Sequence, residues 1–165
     1  MSANEVIDSG ITMPRIAVIE ALPSHSLRVV WAEGPRAGRE DLVDLRPAVF
    51  SYKIYRPLRD EALFLKAALV DDGNAVAWDG EDLVMSADAI EALAQESMSP
   101  GDFTAFLARN GLTQEAAAAL LGRSRRQIAN YCSIGPIPRV IALACYGYEA
   151  RKRDATTARD RETAA

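Results

Sequence analysis

From Arg15 the apolar and polar residues alternate loosely, in the manner of strands. Residues 15–22 (RIAVIEAL) and 27–31 (LRVVW) are rich in β-favouring side chains, and Pro23-Ser24-His25-Ser26 breaks the run between them, which predicts a hairpin. After the breaker Gly34-Pro35-Arg36-Ala37-Gly38 a third strand is predicted over residues 39–45, and Arg46-Pro47 then opens a short helical or irregular stretch to Tyr55. Glu61 to Phe64 has the length of one helical turn. The segment Asp71-Asp72-Gly73-Asn74 lies between the apolar runs 67–70 and 75–78, an Asp-Gly turn that predicts a second hairpin.

From Ser86 onward the spacing changes to that of helices. Ser86 can cap a helix reaching about Ser97, with Ile90, Leu93 and Ala94 on one face. In SPGDFTAFLARNG, Ser99 is a cap, Pro100 the first helical residue and Asp102 the acid of a capping box, while Gly111 supplies a left-handed stop. Phe103, Phe106 and Leu107 then share one buried face. Thr113 caps the next segment, whose alanines 116–119 are read as core packing and whose end is Gly122. Ser124 caps again almost at once, and so short a break makes the two helices cross steeply, projecting the second outward. A further helix is expected over 138–148. The ends carry no clear period: residues 1–14 read as a mobile arm and 154–165 as a disordered tail. The expected organisation is an α+β domain over 1–97 followed by an all-α domain over 98–153.

Charge sharpens that division. Residues 1–99 hold 9 basic and 17 acidic side chains, whereas residues 100–153 hold 8 and 3, a net of −8 against +5 inside an overall −4. The two halves therefore suit different partners, and the second can approach a polyanion. With 49% hydrophobic and 25% charged residues the chain can build a core. No apolar run approaches the ~18 residues of a bilayer span, and no signal-like segment opens the chain, so the expected location is cytoplasmic, with no membrane partner. Cys132 and Cys145 lack the spacing of a metal site or disulfide framework and read as reduced residues of helical cores. His25, the only histidine, sits in a turn and is expected at the surface. The acidic groups Asp71-Asp72 and Asp79-Gly80-Glu81-Asp82 could serve a metal or acid-base chemistry, but turns select the same residues. With no nucleophile-base pair, phosphate-binding glycine loop or metal spacing, the sequence predicts a non-enzymatic role without a cofactor.

The helix beginning SRRQIANYC carries the candidate chemistry. With Ile128 at the centre of the buried face, a turn of 100° per residue directs Tyr131 and Cys132 inward, and Arg126, Asn130 and Ser133 outward, with Arg125 and Gln127 flanking that stripe. Arginine can bond two guanine acceptors in the major groove, asparagine or glutamine can read adenine, and a helix N-terminus favours phosphate. Competing structural roles exist: Gln127 can close a capping box with Ser124, Gln114 can be a first-turn polar residue, and Arg125 with Arg126 can be a solvated pair. Arg151-Lys152-Arg153 can touch phosphate or offset the dipole of the preceding helix.

Two resemblances add to this reading. LTQEAAAALLGRSRRQIANY resembles the lambda-repressor-like (Cro-type) helix-turn-helix, with Ala118 at the tight helix crossing, Gly122 in the turn and Ile128 as the buried anchor, over about 55 residues. The resemblance implies that Gln114 touches a phosphate, that Arg125, Arg126 and Gln127 face base edges of double-stranded DNA, and that Asn130 and Ser133 lie further along the groove. It implies a role in transcription, and because one such module contacts too few bases for a distinctive site, a homodimer is expected. The apolar, proline-rich link 133–138 departs from the polar loop of many relatives. The first half resembles a small bacterial α+β domain of unknown function, on Leu27, Val29, Trp31, Val43-Asp44-Leu45, Leu58, Asp60, Phe64, Val70-Asp71, Gly73, Val76, Trp78 and Asp82-Leu83. Some members of that family are encoded beside small partners resembling toxin-antitoxin pairs. The alternative function is accordingly an antitoxin-like protein or adaptor whose acidic first domain holds a basic partner protein.

Overall fold

The structure is a computed structural model that describes residues 12–163; the arm expected over residues 1–14 falls mostly outside them. The fold is mixed α+β and divides into two compact units, Met1–Gln95 and Glu96–Ala165.

The first unit opens with a three-stranded antiparallel meander, β1 (Arg15–Leu22), β2 (Ser26–Glu33) and β3 (Glu40–Asp44), in the order β1-β2-β3. On β2 the alternation is complete: Leu27, Val29 and Trp31 are buried and meet Ile16, Val43 and Leu45 in the core. The loop between β2 and β3 is held by Asp41, which accepts from Trp31 Nε1 at 2.8 Å and from Arg36 Nε at 2.7 Å. Burial works against the Asp41 charge, but the hydrogen bonds from Arg36 and Trp31 outweigh it and hold the carboxyl below its usual range.

A short helix α1 (Arg46–Ser51), a 3₁₀ stretch (Lys53–Arg59) and the single turn α2 (Glu61–Phe64) lead to a second sheet. That sheet is β4 (Ala68–Val70), β5 (Ala75–Ala77) and β6 (Val84–Ser86), again antiparallel and in chain order. Gly73 is required at the first turn, because a Cβ there would lie 2.2 Å from the Ile16 carbonyl oxygen. Helix α3 (Ala87–Gln95) closes the unit, with the Ser86 hydroxyl accepting from Ala89 N.

One expectation is corrected here. His25 is buried, not a surface residue: Ser24 and His25 both take left-handed backbone (φ 63° and 56°), which turns the imidazole back between Phe50 and Phe64 at ring distances of 5.5 and 5.1 Å.

In the second unit the described residues form helices only: α4 (Pro100–Arg109), α5 (Gln114–Leu121), α6 (Arg125–Ser133) and α7 (Arg139–Thr163). Ser99 and Asp102 close the predicted capping box of α4. Phe103, Phe106, Ile128, Tyr131, Ile141, Ala142 and Cys145 make a core separate from that of the first unit. The second unit starts two residues before the expected boundary of 97/98 because Glu96 pairs with Arg139, and Ser97 O accepts from the Tyr146 hydroxyl at 2.5 Å.

The disordered tail expected over 154–165 is corrected for residues 154–163, and residues 164–165 lie outside the described residues. Helix α7 continues to Thr163, far past the expected end at Tyr148. The apolar period does stop at Tyr148, but no glycine or proline follows Gly147, and the Ala, Arg, Lys and Glu of the continuation are strong helix formers. Because Arg151, Lys152 and Arg153 are therefore mid-helix, their reading as counter-charges to a helix C-terminus falls. A third correction concerns the alanine run: of residues 116–119 only Ala117 is fully buried, Ala118 is half-buried, and Ala116 and Ala119 are exposed, since one face of an eight-residue helix cannot hold four consecutive side chains.

Candidate nucleic-acid interface

Helix α5 starts at Thr113, whose hydroxyl accepts from Ala116 N at 3.1 Å, and stops at Gly122, which is left-handed at φ 59°. Only Gly122, Arg123 and Ser124 separate it from α6. Helix α6 packs on both α4 and α5 through Ile128 and Tyr131, and the Tyr131 ring meets Phe103 edge-on at 5.7 Å. The anchored face of α6 leaves its opposite face exposed. A shallow depression there is lined by Arg126, Gln127, Ala129, Asn130 and Ser133.

The six residues singled out from sequence differ in what they can still offer. Arg125 and Arg126 are exposed on the first turn of α6, with no ion-pair or hydrogen-bond partner for their guanidinium groups among the described residues. Gln114, first residue of α5, is likewise exposed without a side-chain partner among them.

Gln127 closes the capping box: its Oε1 accepts from Ser124 N at 3.0 Å, while Ser124 Oγ accepts from Gln127 N at 3.2 Å. Reading adenine by two bonds requires an amide to accept and donate together, so a boxed Gln127 retains only its NH₂ group as a donor. Asn130 Nδ2 donates to Gly135 O at 3.1 Å, and Gly135 N donates back to Asn130 O at 2.9 Å, which ties off the end of α6. Ser133 Oγ donates to Ala129 O at 3.0 Å, leaving only acceptor capacity outward. The site thus contracts toward the N-terminus of α6.

Arg123 escaped the sequence reading, because a turn residue carries no helical period to place it. It stands between α5 and α6, and its guanidinium also has no partner among the described residues. Three arginines within four positions therefore surround the start of α6, where the backbone N–H groups already favour an anion.

Within the Arg151–Arg153 cluster, Lys152 serves differently. Arg109 and Asn110 both bond Glu149, through Arg109 Nε at 3.0 Å and Asn110 Nδ2 at 2.9 Å, and Lys152 Nζ donates to Asn110 Oδ1 at 3.3 Å. The Arg109 guanidinium holds the Glu149 carboxyl below its usual range. This network ties α4 to α7.

Neither cysteine is bonded, and burial pushes the Cys145 thiol up to about 11, which keeps it protonated and unreactive at neutral pH. The acidic turns carry left-handed residues, Asp71, Asp72 and Asp82 among them. Among the described residues no group of three or more His, Cys, Asp or Glu is placed to hold a metal ion, and no helix is long and apolar enough to cross a membrane.

No family model matches the chain, and no curated protein is similar to it at a significant level. Among solved structures the chain is similar to a crystal structure from Nitrosomonas europaea named "Putative DNA Binding Protein", at 29% identity over 84% of this chain and 88% of that one, with a TM-score of 0.42.

Proposed function

We propose that the protein binds DNA in a sequence-specific manner as a transcriptional regulator, through a lambda-repressor-like helix-turn-helix formed by α5 and α6. The observation that carries this reading is the cluster Arg123, Arg125 and Arg126, without side-chain partners among the described residues, at and just before the first turn of a helix whose other face is pinned by Ile128 and Tyr131. A solvated helix end would more usually carry acids in its first turn, and α6 has none.

In this reading α6 enters the major groove N-terminus first. Arg126 reaches base edges, Arg125 and the Gln127 amide nitrogen serve as nearby donors, and Gln114 holds a phosphate from the start of α5. Asn130 and Ser133 line the far end of the depression and shape it more than they read sequence. The role is one of binding rather than catalysis. One such module contacts too few bases for a distinctive site, so the functional form is a homodimer on two half-sites.

Selection of bound sequences from a random duplex pool tests this directly. The expected product is a palindrome whose half-site centres lie about 10 base pairs, or a multiple of that, apart. Recovery of unenriched sequences at low salt would reject sequence-specific binding.

A further inference from the structure

Helix α7 turns one side toward its own unit and leaves the other bare. Ile141, Ala142 and Cys145 are buried in the core, and at about 100° per residue the opposite side carries Val140, Leu143, Ala144 and Gly147. All four are exposed, Val140 at 62% and Leu143 at 44%. Where a surface helix ordinarily turns polar residues to water, these turns of α7 present large apolar side chains and no charge.

Gly147 is the odd member of this face. Glycine is the poorest helix former after proline, and its own unit does not call for it: a Cβ there would meet no atom within 4 Å among the described residues. Charged groups border the face at its two ends. Arg139, which starts α7, is paired with Glu96, and Arg151, one turn past Gly147, is exposed on the same line.

We propose that this face joins two copies of the chain, their α7 helices antiparallel about a two-fold axis level with the bond between Leu143 and Ala144. Val140 of each helix then lies over Gly147 of the other, while Leu143 meets Leu143 and Ala144 meets Ala144 on either side of the axis. The large side chain thus falls where the opposing helix has none, and the face is its own complement, as a two-fold contact demands. Without charge, it gives a charged partner nothing to pair with. Parallel helices would set Val140 on Val140 and bring the two Arg151-Lys152-Arg153 clusters side by side. An axis moved along to Gly147 would bring Arg151 of one helix level with Leu143 of the other. The face is small beside the about 20–30 residues a side of a standard interface, so the dimer is weak until paired half-sites hold both copies. The proposal rests on the homodimer of the reading above and is independent of which α6 side chains touch DNA.

Cysteine cross-linking of the full chain tests the register, in a Cys132→Ala background; Cys145 is buried and stays out of the reaction. In the proposed pairing the two copies of residue 144 lie about 1.5 Å apart along the helix axes and the two copies of residue 140 about 10 Å apart. A disulfide spans Cα atoms no more than about 7 Å apart, so Ala144→Cys should cross-link under mild oxidation and Val140→Cys should not. In sedimentation, Val140→Lys and Gly147→Gln should each weaken the dimer about tenfold or more, although Gly147→Gln, the better helix former, should hold or raise the far-UV helical signal. Both variants should bind a single half-site as the wild type does, so a failure of this dimer and a failure of the DNA reading are told apart. Equal cross-linking at 140 and 144, cross-linking at neither, or a dimer indifferent to both variants would overturn the proposal. So would a chain still monomeric at about 1 mM, since the face would then await a different protein.

Discussion

At the scale of single residues, what a side chain can do depends on which of its atoms are already committed. Arg126 has no partner for its guanidinium among the described residues, whereas Gln114 offers one amide from the opening of a preceding helix, so the two should fail differently. Arg126→Ala should cost ~1–3 kcal/mol on a selected site and relax the preference at one base pair, with little change on random DNA. Gln114→Ala should weaken both by a similar factor. Titrations on matched and mismatched duplexes read the difference, and uniform weakening by Arg126→Ala would make it a phosphate contact. Asp41 gives a second prediction. Its folded pKa lies below the ordinary 3.8, so the carboxylate contributes stability that is fully present above that value and is lost as pH falls through the lower folded one. Asp41→Asn should therefore lower stability in urea melts near pH ~6, and its gap from wild type should narrow by pH ~3. A gap that widened on acidification would contradict the ion-pair account.

At the scale of elements, legibility followed how many signals agreed. The β1–β2 hairpin, β3 and the capped helices α4, α5 and α6 were readable because alternation or helical period coincided with breakers and caps at both ends. Strand β6 was not, since Val84-Met85-Ser86 is too short to show a period of two. The outward face of α6 followed from Ile128 alone, but periodicity says where a side chain points and not what it bonds. Local side-chain to backbone bonds took Gln127, Asn130 and Ser133 partly out of the candidate set. The end of α7 was misplaced for the opposite reason, that a helix continuing past its buried face keeps its propensity while losing its apolar signal. That continuation yields a prediction. The core contacts of α7 end by Tyr148, so Ala155→Pro should reduce far-UV helical signal while leaving the melting temperature nearly unchanged. A proline costs a helix interior ~3 kcal/mol, more than isolated exposed turns can supply, so the segment beyond it should detach. A large drop in melting temperature would show instead that residues 155–163 pack on something.

At the scale of the whole molecule, two units with separate cores carry opposite charge: Met1–Gln95 holds 9 basic and 16 acidic residues, and Glu96–Ala165 holds 10 and 7. Nets of −7 and +3 on one chain mean that the unit proposed to bind DNA works against the field of the other. Such a penalty acts through solvent, falls off over a Debye length of about 10 Å at 0.1 M salt, and bears on non-specific and specific DNA alike. Sequence reading depends instead on base-edge contacts that distant charge leaves untouched. The isolated segment 96–165 should therefore bind random duplexes more tightly than the full chain at low salt, and the two affinities should converge as salt rises. For a module making ~4 phosphate contacts the log-log salt slope of the segment is about −3.6, and that of the full chain should be shallower over the same range if repulsion is being screened at the same time. The ratio of selected to random affinity should be nearly equal in the two forms, provided the segment dimerises as the full chain does, which sedimentation of both checks. If the full chain binds random DNA more tightly than the segment, the first unit contributes contacts of its own, and the division of labour argued from charge is wrong.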